Sequence, residues 1–191
     1  MENGKLKMVV KPYSFNKSLF EAYDDVFKGV NDSDWVCLMD GDACFLEMGN
    51  FGHVLQHYID RYPNVGLFTC LATKCSYGFQ RPEEISLEDW NVQHWAFVAR
   101  EYFEKYHGSD SETSTFERRF AGHLVMMKKS VWTMVRPKLA NRIRRKNKKI
   151  LGFDTQLSHT MTDYGLEKRL IKSIVVAHNF RPINGKNDKI I

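Results

Sequence analysis

One short stretch narrows the choice of fold more than any other. Trp35-Val36-Cys37-Leu38-Met39 is apolar without a break and stops abruptly at Asp40-Gly41-Asp42. A strand with one wet face alternates apolar and polar residues. An unbroken apolar run needs burial on both faces, which a parallel sheet covered by helices provides. The turn cluster Asn31-Asp32-Ser33-Asp34 marks where the run begins.

The flanking segments repeat the theme. Lys7 to Lys11 reads as a short strand ended by Pro12. Leu19, Phe20, Tyr23, Val26, Phe27 and Val30 fall at helical spacing, with Ser14 or Asn16 as cap. Phe51, Val54, Leu55, Tyr58, Ile59 and Tyr62 line one face of a second helix before Pro63, and Val65 to Ala72 is another strand. Strand, helix, strand, helix, strand predicts an α/β fold with a mainly parallel central sheet.

Further on, Cys75 to Pro82 reads as a loop, and Trp95, Val98, Ala99, Tyr102, Phe103 and Tyr106 form a third helical stripe. His107 to Thr115 is polar and small, the composition of a mobile loop. Phe120 to Met127 reads as a strand, and Lys129 to Val135 starts a helix that Pro137 should interrupt. A helix should follow from Asp154, and Leu170 to Ala177 is a last apolar strand ending at His178.

The chain has 191 residues, 43% of them apolar and 27% charged, which excludes a disordered or low-complexity polymer and suits one domain over residues 1–191. No apolar run approaches the roughly 18–20 residues needed to span a bilayer. Met1 to Lys11 lacks the apolar core of a secretory signal. Cys37 and Cys44 lie inside apolar stretches, as free buried thiols do in a reducing, cytoplasmic setting. Cys70 and Cys75 lack the second ligand pair of a zinc site. The net charge of +5 favours anionic partners such as phosphates.

The residues that could carry chemistry cluster at strand ends. Asp40 and Asp42, one residue apart after a buried strand, cannot both ionise cheaply unless a cation lies between them. A hard divalent ion with oxygen ligands meets that need and clamps a diphosphate; the alternative is a solvated Asp-Gly turn. His178 is a further candidate ligand or a plain surface histidine. Asp154, after Gly152-Phe153, is either a helix cap or a general base held at a helix start. The basic run Arg142 to Lys149 lacks interleaved aromatics, so nucleic acid is not the expected partner. Trp90 and Trp95 could stack on a sugar, although helical core suits the stripe.

In their order and spacing these segments resemble the GT-A glycosyltransferases of glycosyltransferase family 2, over about residues 7–181. Asp34 to Leu46 looks like the family's strand and D-x-D motif. Phe120 to Trp132 looks like the segment in which a small residue and a glycine precede an apolar strand, two basic residues and an aromatic. Gly152-Phe153-Asp154 through Gly165 to His178 looks like the acidic motif, helix, glycine turn, strand and terminal histidine. The resemblance implies a single-domain GT-A-like sandwich and a nucleotide-sugar donor with Mn²⁺ or Mg²⁺ on its diphosphate. It also implies a glycan or other hydroxyl acceptor and transfer with inversion. Asp42 and His178 would be metal ligands, and Asp40 would assist through the ribose or a metal-bound water. Asp154 would be the catalytic base. Gly122 falls in the substrate-binding segment, and Lys11-Pro12-Tyr13 would meet the nucleotide base.

The chain departs from the family pattern in three places. Phe153 stands where Glu commonly precedes the catalytic Asp, which leaves Asp163 as a fallback base. Gln156 replaces a common acidic residue. The stretch between the first strand and Asp40 is short, so the nucleotide pocket is expected to be minimal or rearranged. Two other classes compete. A haloacid dehalogenase-like phosphatase also places D-x-D after an apolar strand, but there it ends the first strand and is followed by Thr or Val, not Ala43-Cys44. A non-catalytic basic or sugar-binding module is the third reading.

Overall fold

A computed structural model describes residues 4–13, 18–46, 49–146 and 152–178. The first strand, β1 (Leu6–Val10), lies parallel to β2 (Trp35–Met39), with Met8 opposite Val36 and Val10 opposite Leu38. Helix α1 (Leu19–Lys28) connects them and is capped by Ser18, whose hydroxyl accepts from the Glu21 amide at 3.3 Å. Such a cap contributes about 1 kcal/mol. The cap expected at Ser14 or Asn16 lies outside the described residues. After the Asp40–Asp42 turn the chain forms β3 (Ala43–Phe45), then α2 (Phe51–Arg61) and β4 (Leu67–Ala72). A short 3-10 turn at Gly78–Gln80 leads on to α3 (Val92–Tyr106) and β5 (Thr113–Thr115). The remaining elements are β6 (Leu124–Lys128), α4 (Lys129–Lys146), α5 (Phe153–Asp163) and β7 (Lys168–His178).

The strands form one seven-stranded sheet in the order β1-β2-β6-β4-β7-β3, with β5 also on β7. The α/β class stands, but the sheet is mixed and not mainly parallel. β1, β2, β4 and β7 run one way, whereas β6, β3 and β5 pair antiparallel to their neighbours. An apolar run reports burial and carries no record of direction, so β6 looked like its neighbours.

Burial on both faces of β2 is as the unbroken run requires, since all five residues are buried. Trp35, Cys37 and Met39 pack with Val54, Leu55, Tyr58 and Ile59 of α2. Val36 and Leu38 pack instead with Tyr23, Phe27, Trp132, Leu157 and Met161 from α1, α4 and α5. A third cluster joins Trp95, Val98 and Ala99 of α3 to Leu71, Leu170 and Val175. Burying one such Leu or Val contributes roughly 1.5–3 kcal/mol.

Several local expectations are corrected. Helix α4 continues through Pro137. Proline in a helix interior costs about 3 kcal/mol, but Trp132, Val135 and Leu139 are buried on both sides of it and hold the helix in place. Arg136 and Trp132 also bond Asp24 of α1. The segment from His107 to Thr115 is no loose loop. It ends in β5, paired with Leu170 and Ile171 of β7, and Glu112 is fully buried. Cys37 is free and buried as expected, but Cys44, also expected to be buried, is exposed because the strand alternation of β3 turns it outward; Cys70 and Cys75 are free and buried. Among the described residues no helix is long and apolar enough to cross a membrane.

Candidate functional site

The parallel direction of β2 and β7 brings their carboxyl ends to one edge of the sheet, where open α/β sheets bind ligands. Asp40 follows the last residue of β2, and its amide donates to the His123 carbonyl at 3.1 Å. The Ala43 amide closes the Asp40–Asp42 turn on the Asp40 carbonyl, also at 3.1 Å. The chain then enters β3, which pairs Ala43 with His178 at the end of β7. That pairing places His178 beside both carboxylates. Its Nε2 lies 3.5 Å from Asp40 Oδ2 and 3.6 Å from Asp42 Oδ1. One ligand atom from each of the three residues falls within 4.8 Å of the others.

The other imidazole nitrogen of His178 fixes the ring. Nδ1 donates to the Lys74 carbonyl at 2.9 Å, and the His178 amide donates to Thr73 Oγ1 at 3.2 Å. In the neutral ring this tautomer leaves the Nε2 lone pair facing the two carboxylates, the usual arrangement behind a ligating histidine. Burial pushes the His178 pKa down, but the Asp40 hydrogen bond, the Lys74 carbonyl and the Asp42 charge outweigh it, and the net shift is upward. Two carboxylate oxygens and one imidazole nitrogen on one edge suit a divalent ion such as Mn²⁺. The donor set therefore fits the ion expected from the sequence.

Asp154 joins the same edge. Gly152, with φ 81°, turns the chain in the left-handed region and starts α5, so that Asp154 lies in the first helical turn. Its carboxylate accepts from the Thr155 amide at 2.7 Å and from the Gly122 amide. A Cβ on Gly122 would sit 3.4 Å from the Asp154 Cβ, an ordinary packing contact that places Gly122 directly against Asp154. Burial raises the Asp154 pKa above the usual carboxylate value, backbone donors oppose that, and the nearby Asp40 charge adds to it. A carboxyl group raised toward neutrality is better matched to proton transfer than an ordinary one.

The fallback base fares differently. Asp163 closes the helix that Asp154 opens, about 14 Å away at 1.5 Å per residue. Lys138 and Arg142 of α4 bind it and lower its pKa. It belongs to the α4–α5 contact, and Arg142 of the basic run is used there. Residues 147–149 of that run lie outside the described residues.

The end of β1 also reaches the site. Lys11 Nζ donates to the Gly41 carbonyl at 2.9 Å, while Pro12 is half-buried and Tyr13 exposed. Beside this bond lies an open cleft of about 250 Å³ whose walls include Val9, Lys11, Met39, Ala43 and Phe45. Phe45 stacks on Phe51 at 4.5 Å and 14°. Of the two tryptophans considered for sugar stacking, Trp95 is core and Trp90 is on the surface, with the Lys74 ammonium 4.3 Å from the Trp90 ring centre.

Three site neighbours were not visible in the sequence. Tyr23 belongs to a helical core stripe, yet it lies near enough to Asp40 and Asp154 to feel both charges. Burial raises its pKa first, and those two charges raise it further. His123 is fully buried, donates from Nε2 to the Cys70 carbonyl at 2.9 Å, and lies 5.6 Å from the His178 ring. Burial pushes its pKa down to about 4, so it stays neutral beside the site. Lys74 contributes only its carbonyl, which any residue type could supply. The nearest available signal was position, since His123 directly precedes β6 and Lys74 closely follows β4.

Comparison of the chain with protein-family models and with curated protein sequences gives no match.

Proposed function

We propose that this chain is a metal-dependent glycosyltransferase that moves a sugar from a nucleotide-sugar donor to an acceptor hydroxyl with inversion, on a minimal GT-A-like framework. The observation that carries the reading is the convergence of Asp40, Asp42, His178 and Asp154 on one sheet edge from three distant parts of the chain. Asp42, Asp40 and His178 would hold Mn²⁺ or Mg²⁺, which when bound stabilises the charge on a departing diphosphate. The cleft between Lys11 and Phe45 offers an apolar wall for a nucleotide base, and Lys11 adds positive charge close to the Asp40–Asp42 turn.

Asp154 would act as base. The acceptor oxygen attacks the anomeric carbon, and the bond from that carbon to the diphosphate oxygen breaks with its electron pair leaving on the diphosphate. The acceptor proton passes to the Asp154 carboxylate. The Gly122 and Thr155 amides hold that carboxylate in one orientation during the transfer.

The test is calorimetric titration of the chain with UDP, GDP and CDP, with and without Mn²⁺. One of the three should bind only with the metal, and Asp42→Ala should remove that binding. Absence of binding for all three, or binding indifferent to Mn²⁺ and to Asp42→Ala, defeats the reading. Turnover of a phosphomonoester without any sugar nucleotide would instead place the site among phosphatases.

A further inference from the structure

A second group of metal-type side chains lies away from this edge. We propose that His57, His107 and Glu112 form a separate transition-metal site suited to Zn²⁺. One ligand atom from each of the three residues falls within 4.8 Å of the others. They come from three different elements: His57 from α2, His107 from the C-terminal cap of α3, and Glu112 from the turn before β5.

The site has its supporting shell already in place. Glu112 is fully buried, and its Oε2 lies 3.0 Å from His57 Nε2 while accepting from the Gly108 amide at 2.8 Å. Gly108 has φ 75°, a turn that favours glycine. The other oxygen, Oε1, is held by Arg61 Nη1 at 3.1 Å. Arg61 shares its charge with Asp110 at 3.4 Å, and His57 Nε2 lies within reach of both Glu112 oxygens, at 3.3 and 3.0 Å. Ligating carboxylates are ordinarily secured by outer partners of this kind. The His107 ring is wedged between Phe103, stacked at 4.7 Å, and His57, edge-on at 4.9 Å. Its Nδ1 is sealed from solvent with no hydrogen-bond partner. Buried polar atoms without a partner are rare, and a bound cation would give this nitrogen one.

The donor chemistry separates this group from the first. Two imidazoles and one carboxylate are a zinc set, with a fourth position open to water where His57 is about one-third exposed. Zinc bonds of roughly 2.0–2.1 Å require the three atoms, now within 4.8 Å of one another, to draw together around the ion. A metal here pins the segment from His107 to Glu112 against α2, and through the Lys172 amide, which donates to the Glu112 carbonyl at 2.9 Å, against β7.

The experiment uses the whole chain carrying Asp42→Ala, which disables the first group and makes the result independent of the transferase reading. The protein is stripped with a chelator and titrated with Co²⁺, then with Zn²⁺. One equivalent of Co²⁺ should give visible d–d bands of a low-coordinate site, Zn²⁺ should displace it, and Zn²⁺ should raise the thermal midpoint. His57→Gln and His107→Gln should each abolish the Co²⁺ spectrum, and Arg61→Gln should weaken binding by roughly 10–100-fold. His57 is partly exposed, so His57→Gln keeps the test sound even where His107→Gln disturbs folding. No Co²⁺ spectrum in the Asp42→Ala protein, or an unchanged spectrum in His57→Gln, overturns the proposal.

Discussion

The two histidine–carboxylate groups differ in how their charges are settled. Asp40 and Asp42 are more than one-third exposed, and each faces a single imidazole with no arginine or lysine bonded to it among the described residues. Glu112 is buried and already meets a guanidinium, an amide and an imidazole. The first arrangement leaves negative charge open to an incoming cation or to a metal-bound diphosphate. In the second, the protein's own donors fix the carboxylate in place before any ion arrives, so it holds the fold as well as presenting a ligand. The lesson is that a carboxylate beside a histidine is read by what else touches it: an open one waits on its ligand for neutralisation, and a closed one is held in position by the fold with or without an ion.

The sharpest way to break this contrast is to remove reactivity from the open edge without removing its shape. Asp154→Asn should lower the rate of sugar transfer by about 10²–10⁴-fold while the metal-dependent affinity for nucleoside diphosphate stays unchanged. The same variant should be more stable than the parent at neutral pH. Burial raises the Asp154 pKa in the folded state. Stability linked to this group is therefore full below the unfolded value and is lost as pH rises through the folded one. Asn carries no such penalty, so thermal melts of the two proteins should differ at pH 7 and converge in acid. An identical melting temperature at pH 7 would show that the fold does not resist the charge.

Next in size, His178→Gln should weaken Mn²⁺-dependent nucleoside diphosphate binding by more than about 100-fold, beyond what loss of an outer partner does. Calorimetry reads it directly. Glu112→Gln should do the reverse. Donor binding should persist, but the chain should lose roughly 1–3 kcal/mol of stability as Arg61 and the Gly108 amide lose a charged acceptor. Denaturant unfolding measures this loss, and Asp42→Ala should show none of comparable size. The smallest effect belongs to the cleft. Phe45→Ala removes the ring stacked on Phe51 and should cost about 0.5–1.5 kcal/mol of nucleotide affinity, a few-fold to about tenfold in Kd.

The sequence was most readable where a single physical rule governed. The unbroken run from Trp35 to Met39 required two covered faces, and both are covered. Strand-end position made Asp40, Asp42 and His178 candidates and the family resemblance named them as ligands, but what brings them together is the pairing of β3 with β7, because β6 and β4 lie between β2 and β7. Reading failed where two rules competed or where geometry alone decided. Pro137 argued for a break, but buried neighbours on both sides overrode it. Ala43 to Phe45 is too short to show a period and became a strand only because β7 offers it a ladder. Glu112, in a polar stretch, looked like loop surface, since nothing local announces that an arginine four residues after His57 will bury it. Tyr23 showed its apolar ring in the helical stripe and kept its phenol's destination hidden.

The position of β7 has a consequence for the order in which this protein can acquire its parts. That strand pairs with Leu67–Ala72 on one side and with Ala43–Phe45 and Thr113–Thr115 on the other, all made earlier in the chain. Chains are synthesised from the N-terminus, and long-range pairings form slowly because distant segments must first be brought together. Until Lys168–His178 emerges and inserts, the nascent sheet has an unfilled slot, β3 and β5 have no ladder, and His178 is not beside Asp40 and Asp42. The earlier strands can therefore assemble while the polypeptide remains inert, and competence arrives in one late step. An arrested chain ending before residue 168 should show helix and sheet by spectroscopy yet bind no metal at the Asp40–Asp42 edge.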